Sequence, residues 1–354
     1  SARDNATEFL TRVRVGAEAT ESTKKWTGRI VFQVGNVWRH SPTRKSWDMA
    51  YDALEMNVGY AHPQARVTLG RQVVRKGDQR FVGPSDWGNK GRSWDALRLQ
   101  GKQWDAFWGR LGVNSVNNSE AWFGFVSYSH PYGETMLLRK QDTRPAASVQ
   151  NYTLTHLVSR TYGTVTAKFD GAYQSGRAQN RDHKAFAAVA RTTIAATPGV
   201  GVFLEGLIGS GGSSATEGHL FDVLYGTNHS SYGWTDSTGL RNIRAYAVGA
   251  DWQSDKKTLI QAKYNRWHLY DPADGWYNSG GTLNISGATQ MLDTTGSSGR
   301  YIGDEIGLRA THQLDKRLQL QGGVALFRPG TFPKSILGST KNQFWAFVQA
   351  QYRF

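Results

Sequence analysis

Apolar residues occupy every second position in segment after segment of this chain. The clearest segments span residues 8–19, 28–38, 51–61, 164–176, 258–265, 304–314 and 317–327. In each of them one parity is apolar and the other is polar or small, which is the period of a half-buried β-strand. About seventeen such segments can be marked, whereas the period of a helix is almost absent. The pattern therefore predicts an all-β protein.

The connections between these segments alternate in length. Short ones include 62–65, 101–103, 197–200, 254–257 and 314–317, and long ones include 76–93, 209–239 and 271–300. Strands of about ten residues, with short turns at one end and long loops at the other, are typical of outer-membrane barrels. No shift in composition marks a second domain. We therefore expect residues 1–354 to form one transmembrane antiparallel β-barrel domain.

The carboxy-terminal segment shows the same alternation up to its last residue. One parity carries Phe344, Ala346, Val348, Ala350, Tyr352 and Phe354. A terminal Phe with an aromatic residue two positions earlier resembles the signal that the outer-membrane insertion machinery reads. Taken alone, this segment is also compatible with an ordinary edge strand. The recurrence of the pattern along the whole chain favours the barrel.

Strand number follows from the alternation of the loops. Single-chain bacterial barrels have an even number of strands and both termini in the periplasm. Alternating loops counted back from Phe354 place the start of segment 8–19 outside the cell. We therefore expect about 18 strands, or alternatively about 16, with one strand preceding residue 1 or miscounted.

Composition and charge add a location and exclude several functions. The chain has a net charge of +14, a mean hydropathy of −0.53 and no cysteine. The lack of cysteine excludes disulfides and thiolate metal sites, and it fits the bacterial envelope. The basic residues are spread singly rather than in runs, so no nucleic-acid partner is predicted. No signal peptide is visible at Ser1, so we expect an integral outer-membrane protein whose signal has been removed.

Lipid must meet the apolar parity of a barrel, so the polar parity is predicted to line its lumen. The cations on that parity are Arg12, Arg14, Arg29, Arg98, Arg139, Lys168, Arg191, Lys263, Arg309 and Arg353. The acids are fewer: Glu18, Glu55, Asp170, Glu205 and Glu305. This excess favours a channel for anions, because clustered guanidinium groups attract and chelate carboxylates. For any single arginine, an Arg–Glu pair that only neutralises buried charge is the alternative.

No catalytic motif accompanies this pattern. None of the nine histidines lies in a nucleophile elbow or an HExxH sequence, so no enzymatic activity is predicted. We expect no cofactor and no metal site, and without a CxxCH motif any haem would belong to a partner. Trp87, Trp234 and Trp276, in the long loops, are candidates for stacking a carbohydrate.

Three segments resemble the alginate export family of outer-membrane barrels: 67–99, 221–243 and 303–330. The middle one is the most specific, since its Tyr, His, Gly and Arg-Asn elements occur in order. The resemblance implies a barrel of about 18 strands with an arginine-rich pore, which passes an acidic polyuronate in the alginate secretors. It adds Arg71 to the predicted pore lining, beside Arg98. It also marks family positions without an assigned role: Asp86, Asp222, His229, Arg241 and Asn242.

Two functions follow from these observations. The first is a porin-like channel that passes anionic solutes, such as acidic sugars or a polyuronate. The second is the barrel component of a dedicated secretion or electron-transfer complex, whose cargo or cofactor comes from a periplasmic partner. Outer-membrane lipid and lipopolysaccharide are expected contacts in both cases. The sequence does not choose between the two functions.

Overall fold

A computed structural model of the chain describes residues 7–40, 45–112, 121–143, 148–212, 214, 216–227 and 229–354. The strands are β1 (Thr7–Thr20), β2 (Trp26–His40), β3 (Lys45–Ala61), β4 (Arg66–Gln72), β5 (Trp94–Gln100), β6 (Trp104–Leu111), β7 (Ala121–His130), β8 (Gly133–Asp142), β9 (Val149–Tyr162), β10 (Val165–Ala178), β11 (Arg181–Thr197), β12 (Val200–Gly209), β13 (Glu217–Gly218), β14 (Ile243–Gln253), β15 (Thr258–Leu269), β16 (Ile285–Ser286), β17 (Thr289–Gln290), β18 (Tyr301–Gln313), β19 (Leu318–Pro329) and β20 (Gln343–Tyr352). The helices are α1 (His229–Tyr232) and α2 (Thr331–Leu337). Within these ranges no helix has the length and apolar content needed to cross a membrane.

The strands form one 18-stranded sheet, apart from the small hairpin of β16 and β17. Neighbours in the chain pair antiparallel, as β1 does with β2 and β7 with β8. β12 pairs with β14 because β13 is a two-residue strand inside their connection. Leaving out β13, the sheet has seventeen long strands, the number that the alternation of the sequence indicates. The predicted all-β class is confirmed.

The burial of side chains is inverted relative to an ordinary globular sheet. Along β9, Tyr152 and Leu154 are 50% and 54% exposed, whereas Asn151, Thr153 and Thr155 are 1–2% exposed. β20 shows the same feature, since Val348 on its apolar parity is 90% exposed. An apolar outer face and a polar inner face are what a sheet solvated by lipid requires. Below, the face that carries the buried polar parity is called the polar face.

Two helices interrupt the all-strand pattern that the sequence predicts. α2 follows Gly330 and ends at Gly338, whose φ of 72° favours glycine. Its Phe332 and Pro333 are buried. With seven residues, α2 is too short to show a helical period, so its sequence gave no signal against the strand pattern.

Contacts divide the chain into two compact units. The first comprises Ser1–Thr155, Gln174–His183 and Leu224–Thr227, and the second comprises His156–Tyr173, Lys184–Val223 and Asn228–Phe354. The predicted single domain stays a prediction.

In the first unit, an aromatic cluster lies on the polar face of β5 to β7. Trp94, Phe107 and Phe123 are buried there, with Trp94 and Phe123 ring centroids 5.3 Å apart. Tyr225 completes the cluster at 4.8 Å from Trp94 and 5.1 Å from Phe123. A parallel bridge joins Tyr225 to Val82, within the long loop 73–93. This loop therefore packs against the polar face rather than extending away from the sheet.

In the second unit, the segment 229–242 covers part of the polar face of β18. The Trp234 ring lies so close to Gly307 that a Cβ there would be 2.3 Å from Trp234 Cε3. Glycine at position 307 thus makes room for the indole. Glu305, two residues earlier on β18, accepts hydrogen bonds from the backbone nitrogens of Trp234 at 2.7 Å and Thr235 at 3.3 Å.

Candidate functional site

Loop 73–93 meets the first predicted arginines on the polar face of the first unit. Arg12 of β1 donates through Nη1 to the carbonyl oxygens of Asp86 at 2.9 Å and Gly88 at 2.7 Å. No carboxylate among the described residues forms an ion pair with Arg12. The arginine therefore holds the loop through its backbone and keeps its net charge.

Arg14 and Arg75 share one carboxylate. Nη2 of Arg14 lies 2.9 Å from Oδ1 of Asp86, and Nη2 of Arg75 lies 2.7 Å from Oδ2. Arg14 also donates through Nε to the Gln33 side-chain oxygen at 3.0 Å. Burial raises the pKa of Asp86, but the two guanidinium groups outweigh burial, so that the pKa lies below its ordinary value of 3.8. Two cations on one anion leave a net positive charge.

A cavity of about 450 Å³ opens beside this cluster. Its charged lining residues are Arg14, Glu18, Arg29, Glu55 and Arg75, and Val31, Leu54 and Val73 are among its apolar ones. Arg29 lies between the two glutamates, with Nη1 2.8 Å from Glu18 and Nε 3.2 Å from Glu55. Counted together with Arg12 and Asp86 of the adjoining cluster, four guanidinium groups face three carboxylates. The group as a whole therefore keeps one net positive charge, which makes an anionic group the complementary ligand.

Asp86→Asn should loosen the part of loop 73–93 around residues 86–87, while the contacts of Lys76 and Val82 persist. The change removes both ion pairs and should weaken local anchoring by about 1–3 kcal/mol. The chain has no cysteine, so a nitroxide attached through W87C would report on this loop alone. We expect an immobile spectrum in W87C and a mobile one in W87C/D86N.

The same label should reveal the pH dependence of the anchor. Because the folded-state pKa of Asp86 lies below 3.8, its carboxylate stabilises the loop at all pH values above 3.8. That stabilisation is lost as the pH falls further and the carboxylate is protonated. W87C should therefore stay immobile from neutral pH to pH 5 and gain mobility below pH 3.8. A transition near neutral pH would show that another group anchors the loop.

Arg98 belongs to a second, electrically balanced cluster in the first unit. Its guanidinium binds Asp105 at 3.0 Å (Nε to Oδ1) and 2.6 Å (Nη2 to Oδ2). Lys76 of loop 73–93 lies 3.2 Å from Asp105 and 2.5 Å from Glu134. Two cations and two carboxylates cancel, so this cluster fixes the loop without adding charge to the face.

Two predicted pore-lining residues lie on the other face of the sheet. Arg71 pairs in register with exposed Met56 and shares the parity of exposed Leu69. It binds Asp95 at 2.8 Å and Asp52 at 3.0 Å. Arg139 shares the parity of exposed Leu137, and its guanidinium lies 5.5 Å from the Tyr152 ring. Neither placement fits the predicted lining.

In the second unit two of the predicted cations, Arg191 and Lys263, are matched by acids. Arg191 lies 3.0 Å from Asp251, and its guanidinium is 3.5 Å from the centre of the Phe203 ring. Lys263 binds buried Glu205 at 2.9 Å, and the Lys263 side chain is itself only 10% exposed. Arg309 donates through Nε to Gln261 at 3.1 Å.

The remaining predictions fall on strand and terminal positions. Lys168 shares its parity on β10 with buried Asp170, opposite exposed Phe169. Arg353 follows β20, is exposed, and donates its backbone nitrogen to Arg317.

Two of the loop residues that match family positions have structural roles. Asn242, fully buried at a φ of 52°, donates to the carbonyls of Asp271 at 3.0 Å and Gly275 at 2.9 Å. Arg241 donates to the carbonyls of Phe221 at 2.8 Å and Gly281 at 2.6 Å. These two residues therefore join separate parts of the long loops.

Other loop candidates are buried or paired. Trp234 and Trp276 are buried, so only Trp87 of the three tryptophans remains exposed for stacking a sugar. His229 Nδ1 lies 2.6 Å from Asp236 Oδ2, and Asp222 is buried.

Arg75 and Lys76 are the site residues that sequence reasoning missed. Both lie in loop 73–93, where no strand parity exists to show which way a side chain points. In the sequence VVRKGD, Lys76 opens the predicted long connection 76–93 and Arg75 directly precedes it. These two adjacent cations after an apolar pair were the available signal.

Comparisons with known proteins identify the family and the fold. The family model described as Alginate export matches residues 12–347. No curated protein matches the chain. Among solved structures it is similar to OccK10 (OpdN) of Pseudomonas aeruginosa, at 10% identity and a TM-score of 0.58, over 99% of each chain.

Two further structures show the same similarity. The outer membrane protein OprD from P. aeruginosa is 11% identical with a TM-score of 0.55, covering 99% of this chain and 95% of that one. OccAB4 of Acinetobacter baumannii is 11% identical with a TM-score of 0.55, covering 98% and 90%. At such identities the likeness establishes the fold alone. The predicted outer-membrane β-barrel and its location are confirmed.

Proposed function

Because the chain belongs to the alginate export family, we propose that its porin-like barrel is a passive channel preferring anionic solutes, acidic sugars among them. In this proposal the polar face is the lumen, since lipid solvates the apolar face. The observation that carries it is the cavity lined by Arg14, Arg29 and Arg75. The chain is assigned no catalytic step.

The charge balance limits where selectivity arises. In the second unit, Arg191 and Lys263 are paired with acids and contribute little net field. Arg309 there binds Gln261 and lies 5.7 Å from the Trp234 ring, under the segment 229–242. In the first unit, Arg12 has only carbonyl partners, and Arg14 and Arg75 share Asp86. We therefore attribute anion preference to the first unit. Its guanidinium groups would raise the local concentration of anions and bind carboxylates in pairs of hydrogen bonds.

A conduit for an acidic polymer is the second candidate, favoured by the description of the family as alginate export. Such a conduit needs an unobstructed cationic path. Here loop 73–93 is held on the polar face by Arg12 and Asp86, and the segment 229–242 is held by Glu305. Both contacts favour small solutes, because a polymer would have to displace the two segments.

Single-channel recording in a planar bilayer with a salt gradient tests the proposal. We expect a steady current whose reversal potential indicates anion preference. Added glucuronate should compete with chloride and lower the current, whereas neutral glucose at equal concentration should not. A cation preference, or no current at all, would overturn the passive anion channel.

Uronate oligomers separate the two candidates. Short oligomers should reduce the current briefly as they pass through, with residence times that grow with length. If the closed protein blocks them entirely until a periplasmic protein is added, the dedicated conduit would be the better description.

A further inference from the structure

A row of charged and aromatic side chains crosses four strands on the apolar face of the second unit. Register pairs Tyr246 of β14 with Arg266 of β15, Arg266 with Asp304 of β18, and Asp304 with Arg328 of β19. Arg244 lies two residues from Tyr246 on the same parity. Neighbouring strands are about 4.8 Å apart, so Arg244 on β14 and Arg328 on β19, three spacings apart, are separated by at least about 14 Å of sheet.

The row lies at the boundary of the apolar band. Two residues further from the loops, on the same parity, Val248 and Ile306 are exposed, and Leu308 follows them. In the other direction the strands lead into the long connections 210–242 and 270–300. Long loops of outer-membrane barrels face the outside, so the row is at the headgroup level of the outer leaflet.

Part of the row is a fixed scaffold. Arg266 binds Asp304 through two hydrogen bonds, Nε to Oδ1 at 2.7 Å and Nη2 to Oδ2 at 3.0 Å. The Tyr264 and Tyr301 side chains also interact with this carboxylate, and the Tyr301 ring lies 5.4 Å from the Arg266 guanidinium. This network is electrically neutral and orders the surface around it.

The two outer arginines carry the net charge. Arg244 and Arg328 are exposed, and within the described part of the chain neither forms an ion pair with a carboxylate. Arg244 lies 4.7 Å from the Tyr270 ring, which limits its movement while leaving its donors available. A cation at the edge of lipid is stabilised by an anionic headgroup, and guanidinium matches phosphate with paired hydrogen bonds.

We propose that Arg244 and Arg328, on either side of the Arg266–Asp304 network, each bind a phosphate group of lipopolysaccharide in the outer leaflet. The tyrosines contact the boundary between the sugar and its acyl chains, and the exposed apolar residues below contact those chains. This site lies on the apolar face of the second unit, and it does not depend on the proposed transport.

Native mass spectrometry of the full chain in detergent tests the site. The probes are lipid A with its phosphates, the same lipid after dephosphorylation, and inorganic phosphate. We expect retention of phosphorylated lipid A, with about tenfold weaker binding in R244Q/R328Q, because two charge-assisted contacts are lost. Dephosphorylated lipid should bind wild type as weakly as phosphorylated lipid binds the variant.

K316Q/R317Q is the matched control, since it removes two exposed cations at a short turn at the opposite end of the strands. It should bind phosphorylated lipid A like wild type. An equal loss in this control, equal binding of dephosphorylated lipid, or unchanged binding in R244Q/R328Q would overturn the site. Displacement of lipid by millimolar inorganic phosphate would identify free phosphate as the ligand and overturn the lipid assignment.

R244Q/R328Q should leave the reversal potential unchanged. Failure of the lipid site and failure of the proposed channel are therefore distinguishable.

Discussion

Exchanging Arg14, Arg29 and Arg75 for glutamine together should lower the anion-to-cation permeability ratio about fivefold or more at 0.1 M salt. All three side chains line the cavity in the first unit. Each unit charge contributes about 0.6 kcal/mol to an anion about 7 Å away in water, and screening at this salt concentration removes about half of that. Reversal potentials in a chloride gradient measure the ratio. The effect should shrink at 1 M salt, where the Debye length is about 3 Å.

K25Q/K102Q/K256Q is the matched control for that experiment. It removes the same charge from exposed turns rather than from the cavity. Its permeability ratio should stay near that of wild type. If both triple variants shift the ratio equally, the overall charge of the protein and not the cavity would set the selectivity.

Glu305→Ala should detach the segment 229–242 and raise the single-channel conductance. The Glu305 carboxylate accepts hydrogen bonds from two backbone nitrogens, of Trp234 and Thr235, and from the Thr235 hydroxyl. Hydrogen bonds to a charged group are worth about 1.5–3 kcal/mol each, so the segment should lose about 3 kcal/mol or more of anchoring. Current recordings should show a larger open level with frequent transitions between levels.

Asp251→Ala controls for the loss of one carboxylate on the same polar face. Asp251 binds Arg191 and Gln261 and has no described contact with the segment 229–242. D251A should change selectivity slightly and leave the open level steady. If E305A behaves like D251A, the segment does not restrict the path.

The strands were predictable from the sequence because contact with lipid imposes a simple alternation of apolar and polar residues on them. A strand between lipid and a polar interior needs an apolar residue at every second position, and β1, β9, β10 and β20 follow that rule closely. Gly28, Ala53 and other small residues fit either face, but the long alternating runs outweigh them. Helix α2 was not predicted, because a short helix in the connection between two strands has too few residues to show a helical period.

In β8 the alternation does not predict which face each residue occupies. Leu137 and Leu138 are both apolar, and the structure exposes Leu137 while burying Leu138. On β8 this buried face carries apolar residues, because Phe125 and the aromatic cluster with Tyr225 pack against it. Lys140 therefore takes the position on the polar face, 5.1 Å from the Tyr225 ring, and Arg139 takes the one on the apolar face. Strand periodicity could not reveal a cluster that a distant loop completes.

The roles of the loop residues could not be predicted from local sequence for a related reason. Asp86 and Asn242 resembled family positions, but their roles depend on which strand each loop returns to. Asp86 meets Arg14 across 72 residues of sequence, and Asn242 meets Asp271 across 29. Such contacts follow from tertiary packing, for which neither periodicity nor composition carries a signal.

The bridge between Val82 and Tyr225 also implies that one part of the sheet is completed late in folding. The apolar surface on the polar face of β5 to β8 stays incomplete until residues 224–227 arrive, more than 130 residues after loop 73–93. Contacts of such sequence separation form late, because the entropy of closing a long loop is lost before the contact is gained. During assembly, Trp94 and Phe123 are therefore uncovered in a partly formed sheet. The residues that complete the aromatic cluster thus also determine how late in assembly its apolar surface is covered.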